Sequence, residues 1–120
     1  MKAKPKMKEE TAQFDDAVVT YYIGTNAADN FAAIDKGAPN DYWFHAKDVS
    51  SCHVVANIPD IADKKSLRAI VRRGALLCKQ NTSKLKALDR VVFVYTRVKN
   101  VVKMDKPGLV TLTNEKIIVL

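Results

Sequence analysis

Asp41, Trp43, His45 and Lys47 alternate with Tyr42, Phe44 and Ala46. In a strand, successive side chains leave on opposite faces, so a carboxylate, an indole, an imidazole and an ammonium would form one row. A few residues on, Ser51-Cys52-His53-Val54-Val55 adds a second imidazole beside a thiol. Imidazole and ammonium groups can donate to phosphate, and an indole can stack on an unpaired base. A carboxylate two residues from an imidazole can fix its tautomer. Each side chain also has a plainer reading. Trp43 suits a core anchor, Asp41 and His45 suit a buried structural pair, and His53 suits a satisfied histidine at a strand end.

Other chemistries fit less well. A cysteine nucleophile needs a base within hydrogen-bond reach, yet Cys52 and His53, adjacent on a strand, point to opposite faces unless the turn kinks there. Cys52, His53, His45 and Cys78 include zinc-type donors, but no CxxC or HxxxH spacing occurs. There is no glycine-rich phosphate loop and no paired-carboxylate motif. We therefore expect no enzyme activity, no metal and no cofactor.

The chain has 120 residues, the length of one ordinary domain, with a net charge of +7. No stretch approaches the roughly 18 apolar residues needed to span a bilayer, so no membrane partner is expected. Two cysteines, Cys52 and Cys78, fit a reducing compartment, and the cytoplasm is the expected location. The charge is concentrated. Residues 64–90 hold nine basic side chains (Lys64, Lys65, Arg68, Arg72, Arg73, Lys79, Lys84, Lys86, Arg90) against one acid, Asp89, while the rest of the chain nearly cancels. A localised excess of this kind is what a phosphate-binding surface requires. A solvated charge face is the commoner origin of such runs.

These residues need elements to position them. Residues 1–12 read as a flexible basic tail and residues 13–120 as the domain. Ala17 to Ile23 is β-branched and aromatic, a strand ending at Gly24. Asn26 caps a short helix to Lys36, stopped by Gly37 and Pro39. The strand Asp41 to Lys47, a turn, and a strand from His53 to Ile58 resemble a hairpin. Asp63 to Gln80 is the longest helix, with Leu67, Ile70, Val71, Gly74, Leu77 and Cys78 at buried-stripe spacing and the basic residues mostly outside that stripe. Val91 to Val98 is a strong strand that Val101 and Val102 extend or bulge. Lys106-Pro107-Gly108 is a turn, and Leu109 to Thr113 with Lys116 to Leu120 form a terminal hairpin across Asn114-Glu115. The expected fold is α+β: one domain, a largely antiparallel sheet, one main basic amphipathic helix and one short helix.

Four features taken together are similar to the NFACT RNA-binding domain. They are Gly24-Thr25-Asn26 after the opening strand, Asp41-x-Trp43-x-His45-Ala46-Lys47, Ser51-Cys52-His53-Val54, and Tyr95-Thr96-x-x-Lys99-Asn100-Val101 running on to Lys106-Pro107-Gly108-Leu109-Val110. They occur in the family's order over about Val18 to Leu120. The sequence departs from the family at Thr25, usually basic, at Cys52, usually serine, and at the shortened loop Val102-Lys103-Met104-Asp105. The resemblance implies a module known chiefly as the C-terminal part of ribosome quality-control factors, with free-standing copies, some associated with tRNA modification. The free-standing form is expected here.

The resulting expectation is a non-enzymatic RNA-binding module for tRNA or large-subunit rRNA, with the large ribosomal subunit as a wider partner. Lys65, Arg68, Arg72, Arg73 and Lys79 would track the sugar–phosphate backbone, and Lys99 and Lys103 would extend the patch if the Val91 strand lies beside the helix. Trp43, His45, Lys47 and His53 would make the more discriminating contacts, with Asp41 and Asn26 in orienting roles. Backbone contacts barely separate RNA from DNA without 2′-OH readout, so DNA stays open as a ligand. Two competing readings are a protein–protein adaptor for an acidic partner and a small hydrolase or nucleotide-modifying enzyme centred on His45, Asp41 and His53.

Overall fold

In the computed structural model, which describes residues 7–60, 62–106 and 109–120, antiparallel pairing begins almost at once. β1 (Lys8–Phe14) folds back on β2 (Ala17–Gly24) across Asp15-Asp16. Asp15 takes φ 53°, a left-handed conformation that aspartate tolerates better than most residues. The tail expected over residues 1–12 is therefore strand from Lys8 onward, and residues 1–6 lie outside the described part. Lys8, Glu9 and Glu10 are exposed on a sheet edge, where charged side chains discourage pairing with other chains.

α1 (Ala27–Asp35) begins where Asn26 Oδ1 accepts the Asp29 N–H at 2.9 Å. β3 (Tyr42–Ala46) and β4 (His53–Ala56) form the expected hairpin, with Trp43 opposite Val55. α2 (Lys64–Gln80) is capped by Asp63, whose carboxylate accepts the Ser66 N–H at 2.8 Å. β5 (Val92–Arg97) leads into a single 3-10 turn, Val98–Asn100.

The C-terminal pairing differs from expectation. β6 (Val101–Lys103) leaves the main sheet and pairs with β7 (Val110–Leu112), while β8 (Lys116–Val119) pairs with β5. The last two strands are thus not each other's partners. Thr96 on β5 donates its hydroxyl to Thr113 O at 2.9 Å, tying the β7–β8 connection to the sheet. Pro107 and Gly108 of the expected turn lie outside the described residues.

The main sheet runs β1-β2-β4-β3-β5-β8 and is antiparallel throughout, so with two helices the fold is α+β. Alternation gives it two apolar faces. One carries Val19, Tyr21, Ile23, Phe44, Ala46, Val54, Ala56 and Phe93, covered by Ile70, Val71, Ala75, Leu77 and Cys78 of α2. Tyr21 donates its hydroxyl to Ile70 O at 2.8 Å, and burial raises its pKa. The opposite face carries Trp43, Val55 and Val94 against Ala33 and Ile34 of α1, with Val101, Val110 and Leu112 of the small β6–β7 sheet packed alongside. At Gly24 an added Cβ would lie 2.6 Å from the Asp29 backbone, so only glycine lets α1 cross the end of β2 this closely.

Candidate functional site

Helical spacing separates the two sides of α2. Ile70, Val71, Gly74, Ala75, Leu77 and Cys78 face the sheet, leaving Lys64, Lys65, Arg68, Arg72 and Arg73 exposed. Lys65, Arg68 and Arg72 recur at three and four residues, a ridge roughly 10 Å long at 1.5 Å per residue. α2 contains no acid, and the sole ion pair among the described residues joins Lys103 to Asp35 elsewhere. Lys79 is half-buried, with its ammonium on Leu120 O at 3.3 Å. Lys84, Lys86 and Arg90 continue the exposed charge through the following loop.

Lys99 and Lys103 do not extend this ridge. They follow β5 into the segment that packs on the α1 side, where Lys103 pairs with Asp35 and lies over the Phe31 ring at 5.1 Å. The Lys99 N–H donates to Pro39 O, and its side chain is exposed.

The aromatic row is on the opposite face from α2. Trp43 is 1% exposed, so its ring offers no free face for stacking on a base. That role, expected from composition, fails because this face is roofed by α1 and the small sheet. Asp41 does not orient His45. Its buried carboxylate accepts from Ala38 N at 2.8 Å, Asn57 Nδ2 at 2.7 Å and Ile58 N at 2.8 Å, joining the loops on either side of the β3–β4 pair. Lys47 is exposed at the end of β3.

The histidines form a defined cluster. Trp43 Nε1–H donates to His53 Nδ1 at 3.1 Å, which leaves the His53 proton on Nε2. His53 is 1% exposed, and burial, followed by the neighbouring His45, lowers its pKa to about 3. His45 stacks parallel to Trp43 with centroids 5.7 Å apart. Its Nδ1 lies 2.6 Å from Ala46 O; a carbonyl can only accept, so Nδ1 carries the proton and Nε2 keeps a lone pair. Burial lowers the His45 pKa; the bond to Ala46 opposes this and nearby Lys84 adds to it.

Trp43, His45 and His53 line a groove of about 810 Å³. Its walls come from the start of α1, the Lys47–Ser51 loop and the β7–β8 segment. Sequence reasoning missed Asn30, whose side-chain oxygen accepts the His53 N–H at 3.1 Å and which also lines the groove. It sits four residues before Ile34, which is buried on the same helix face, so the helical spacing could have revealed it. Ser51 was also missed. Its hydroxyl accepts the Ala46 N–H at 2.9 Å and closes the loop between the two strands. A local loop bond of that kind has no spacing signature.

Among the described residues, no group of three or more His, Cys, Asp or Glu could hold a metal ion, and no helix is long and apolar enough to cross a membrane.

The family described as NFACT protein RNA binding domain matches residues 8–114. No curated protein matches the chain. Among solved structures, the C-terminal part of the fibronectin/fibrinogen-binding protein from Streptococcus suis shares the fold, with a TM-score of 0.76 at 24% identity. The alignment covers 100% of this chain and 47% of that one, so the chain spans about half the length of that relative. The family match opens at Lys8, where β1 starts, and takes in both helices and the small sheet. The chain belongs to the NFACT RNA-binding domain family, and is an RNA-binding module.

Proposed function

We propose that this chain is a non-enzymatic module that engages structured RNA of the translation machinery, tRNA or large-subunit rRNA, in ribosome quality control or tRNA modification. The observation that carries the reading is the exposed cationic side of α2, which contains no acid, and its following loop, where Asp89 is the one acid beside Lys84, Lys86 and Arg90. Each phosphate it neutralises releases condensed counterions, so affinity falls with salt in proportion to the number of phosphates engaged. Helix-borne arginines hold a phosphate-tracking surface more rigidly than a loop does, because the buried stripe fixes the helix on the sheet.

The test is fluorescence anisotropy of labelled tRNA and of a large-subunit rRNA hairpin across a salt series. Arg68→Ala combined with Arg72→Ala should flatten the slope of log affinity against log salt by roughly 1.5, about 0.7–0.9 for each phosphate no longer neutralised. An unchanged slope would remove α2 from the interface. Pull-down of the same partners before and after ribonuclease treatment would identify an acidic protein ligand instead.

A further inference from the structure

The groove on the α1 side keeps two polar atoms that the fold does not use. His53 is almost wholly buried, and its Nε2–H has no partner among the described residues. No fully sealed side-chain nitrogen or oxygen lacks a partner there, so this N–H must reach the groove that His53 lines. A donor that faces the groove with no partner in the fold is free for a ligand acceptor. His45 Nε2 is the complementary case, an acceptor on a half-buried ring that lines the same groove with its other nitrogen committed to Ala46 O. The two rings meet edge to face with centroids 4.8 Å apart, which keeps the donor-bearing and acceptor-bearing rings in contact.

We propose that this groove binds a single unstacked nucleobase, whose edge accepts a hydrogen bond from His53 Nε2–H and donates one to His45 Nε2. The Watson–Crick edge of every nucleobase sets a donor beside an acceptor, and single-stranded RNA is read on such edges once its bases are splayed out. The surroundings suit a flat heterocycle. Val49, Leu109 and Ile117 line the groove yet stay exposed at 45%, 51% and 57%, which is apolar surface left for a ligand to cover. Lys47 at the groove and nearby Lys84, which donates to Ser50 Oγ, supply cations for the attached phosphate. A volume of about 810 Å³ falls in the usual range for small-ligand sites. Burial keeps both rings neutral, so the donor and the acceptor persist at physiological pH. The pocket rests on the RNA reading above but not on α2, which lies across the sheet. It gives the module two contacts: the charge of α2 on one face of the sheet and one base on the other, where Lys84 of the loop after α2 also reaches.

The experiment titrates the intact protein with each of the four nucleoside 5′-monophosphates, with inorganic phosphate as the control. Histidine ring nitrogens and the Trp43 indole are followed by NMR, and tRNA binding is measured separately by anisotropy. At least one nucleotide should shift the Nε2 signals of both His45 and His53 and the Trp43 indole signal, while phosphate leaves all three in place. His45→Phe keeps a flat ring but loses the acceptor, and should weaken that nucleotide roughly tenfold. The pocket is wrong if tRNA binds but no nucleotide moves the ring signals, or if His45→Phe binds the nucleotide as well as the native protein; the RNA reading then survives alone. If the native protein binds no RNA, both readings fall.

Discussion

His45 and His53 meet edge to face, with ring centroids 4.8 Å apart, on a sheet face where burial disfavours the charged form of both, and where His45 further opposes charge on His53 and Lys84 opposes it on His45. Their folded-state pKa values lie below the ordinary 6.5, that of His53 at about 3. The unfolded chain therefore takes up protons below pH 6.5 that the folded chain refuses. Stability is fully present above pH 6.5 and is lost as pH falls toward 3.

Between pH 6.5 and 5, above the range where most carboxylates titrate, His53 should contribute a loss approaching about 1.4 kcal/mol per pH unit. Urea unfolding of the native protein and of His53→Gln, each at pH 7.5 and 5.5, checks this. The variant starts less stable but should lose less on acidification. Equal losses would mean that His53 titrates normally in the folded state.

Trp43→Phe removes the N–H that holds His53 Nδ1. It leaves a buried acceptor without a donor, which costs about 1–3 kcal/mol, and a smaller ring adds a packing loss. The same change frees the imidazole to take the other tautomer. Urea unfolding should show the destabilisation, and ring-nitrogen NMR should show the proton of His53 no longer confined to Nε2. A single unchanged tautomer would mean that something other than the indole sets it.

Asp41→Ala should cost stability and leave ligand binding intact. Three donors, from Ala38, Asn57 and Ile58, converge on this carboxylate, and none comes from His45. Losing an acceptor for buried donors costs roughly 1–3 kcal/mol apiece before relaxation, so a thermal-melting loss of several degrees is expected. The NMR titration curve of His45 should stay in place. A displaced curve would restore the orienting role that spacing alone suggested.

The central strands, both helices and the cap of the first were legible because each rests on a local rule: alternation, the three-and-four stripe, Asn26 at a cap position. What local rules cannot supply is which face each element covers. Parity placed Trp43 and His45 together and Phe44 opposite, but both sets are apolar enough to take a helix. The choice depends on Gly74 admitting Phe44 and on Tyr21 reaching Ile70, both long-range facts. The cationic stripe was therefore legible as a surface, but its separation from the histidines was not. β1 was hidden because an edge strand uses charges where a central strand uses apolar residues, so Lys8-Glu9-Glu10 looked like tail. The Asn114 turn signal was real, since Asn114 takes φ 53°, but it marks the crossing from the small sheet to the main one rather than a hairpin.

Gly74→Ala sets two effects of opposite sign against each other. In a helix interior, alanine is favoured over glycine by about 1 kcal/mol. Here the new Cβ would sit 2.4 Å from two atoms of the Phe44 ring, which is fully buried and cannot swing aside. Overpacking typically costs about 1–3 kcal/mol and at this distance should exceed the helical gain, leaving a net loss. Because the clash is with one ring, Phe44→Leu in the same chain should make the alanine less harmful than it is in the native background. A double-mutant cycle by urea unfolding reads this directly. Additive losses would mean that α2 has room to lift from β3, and that its cationic side is less firmly held than the close approach of Gly74 to Phe44 implies.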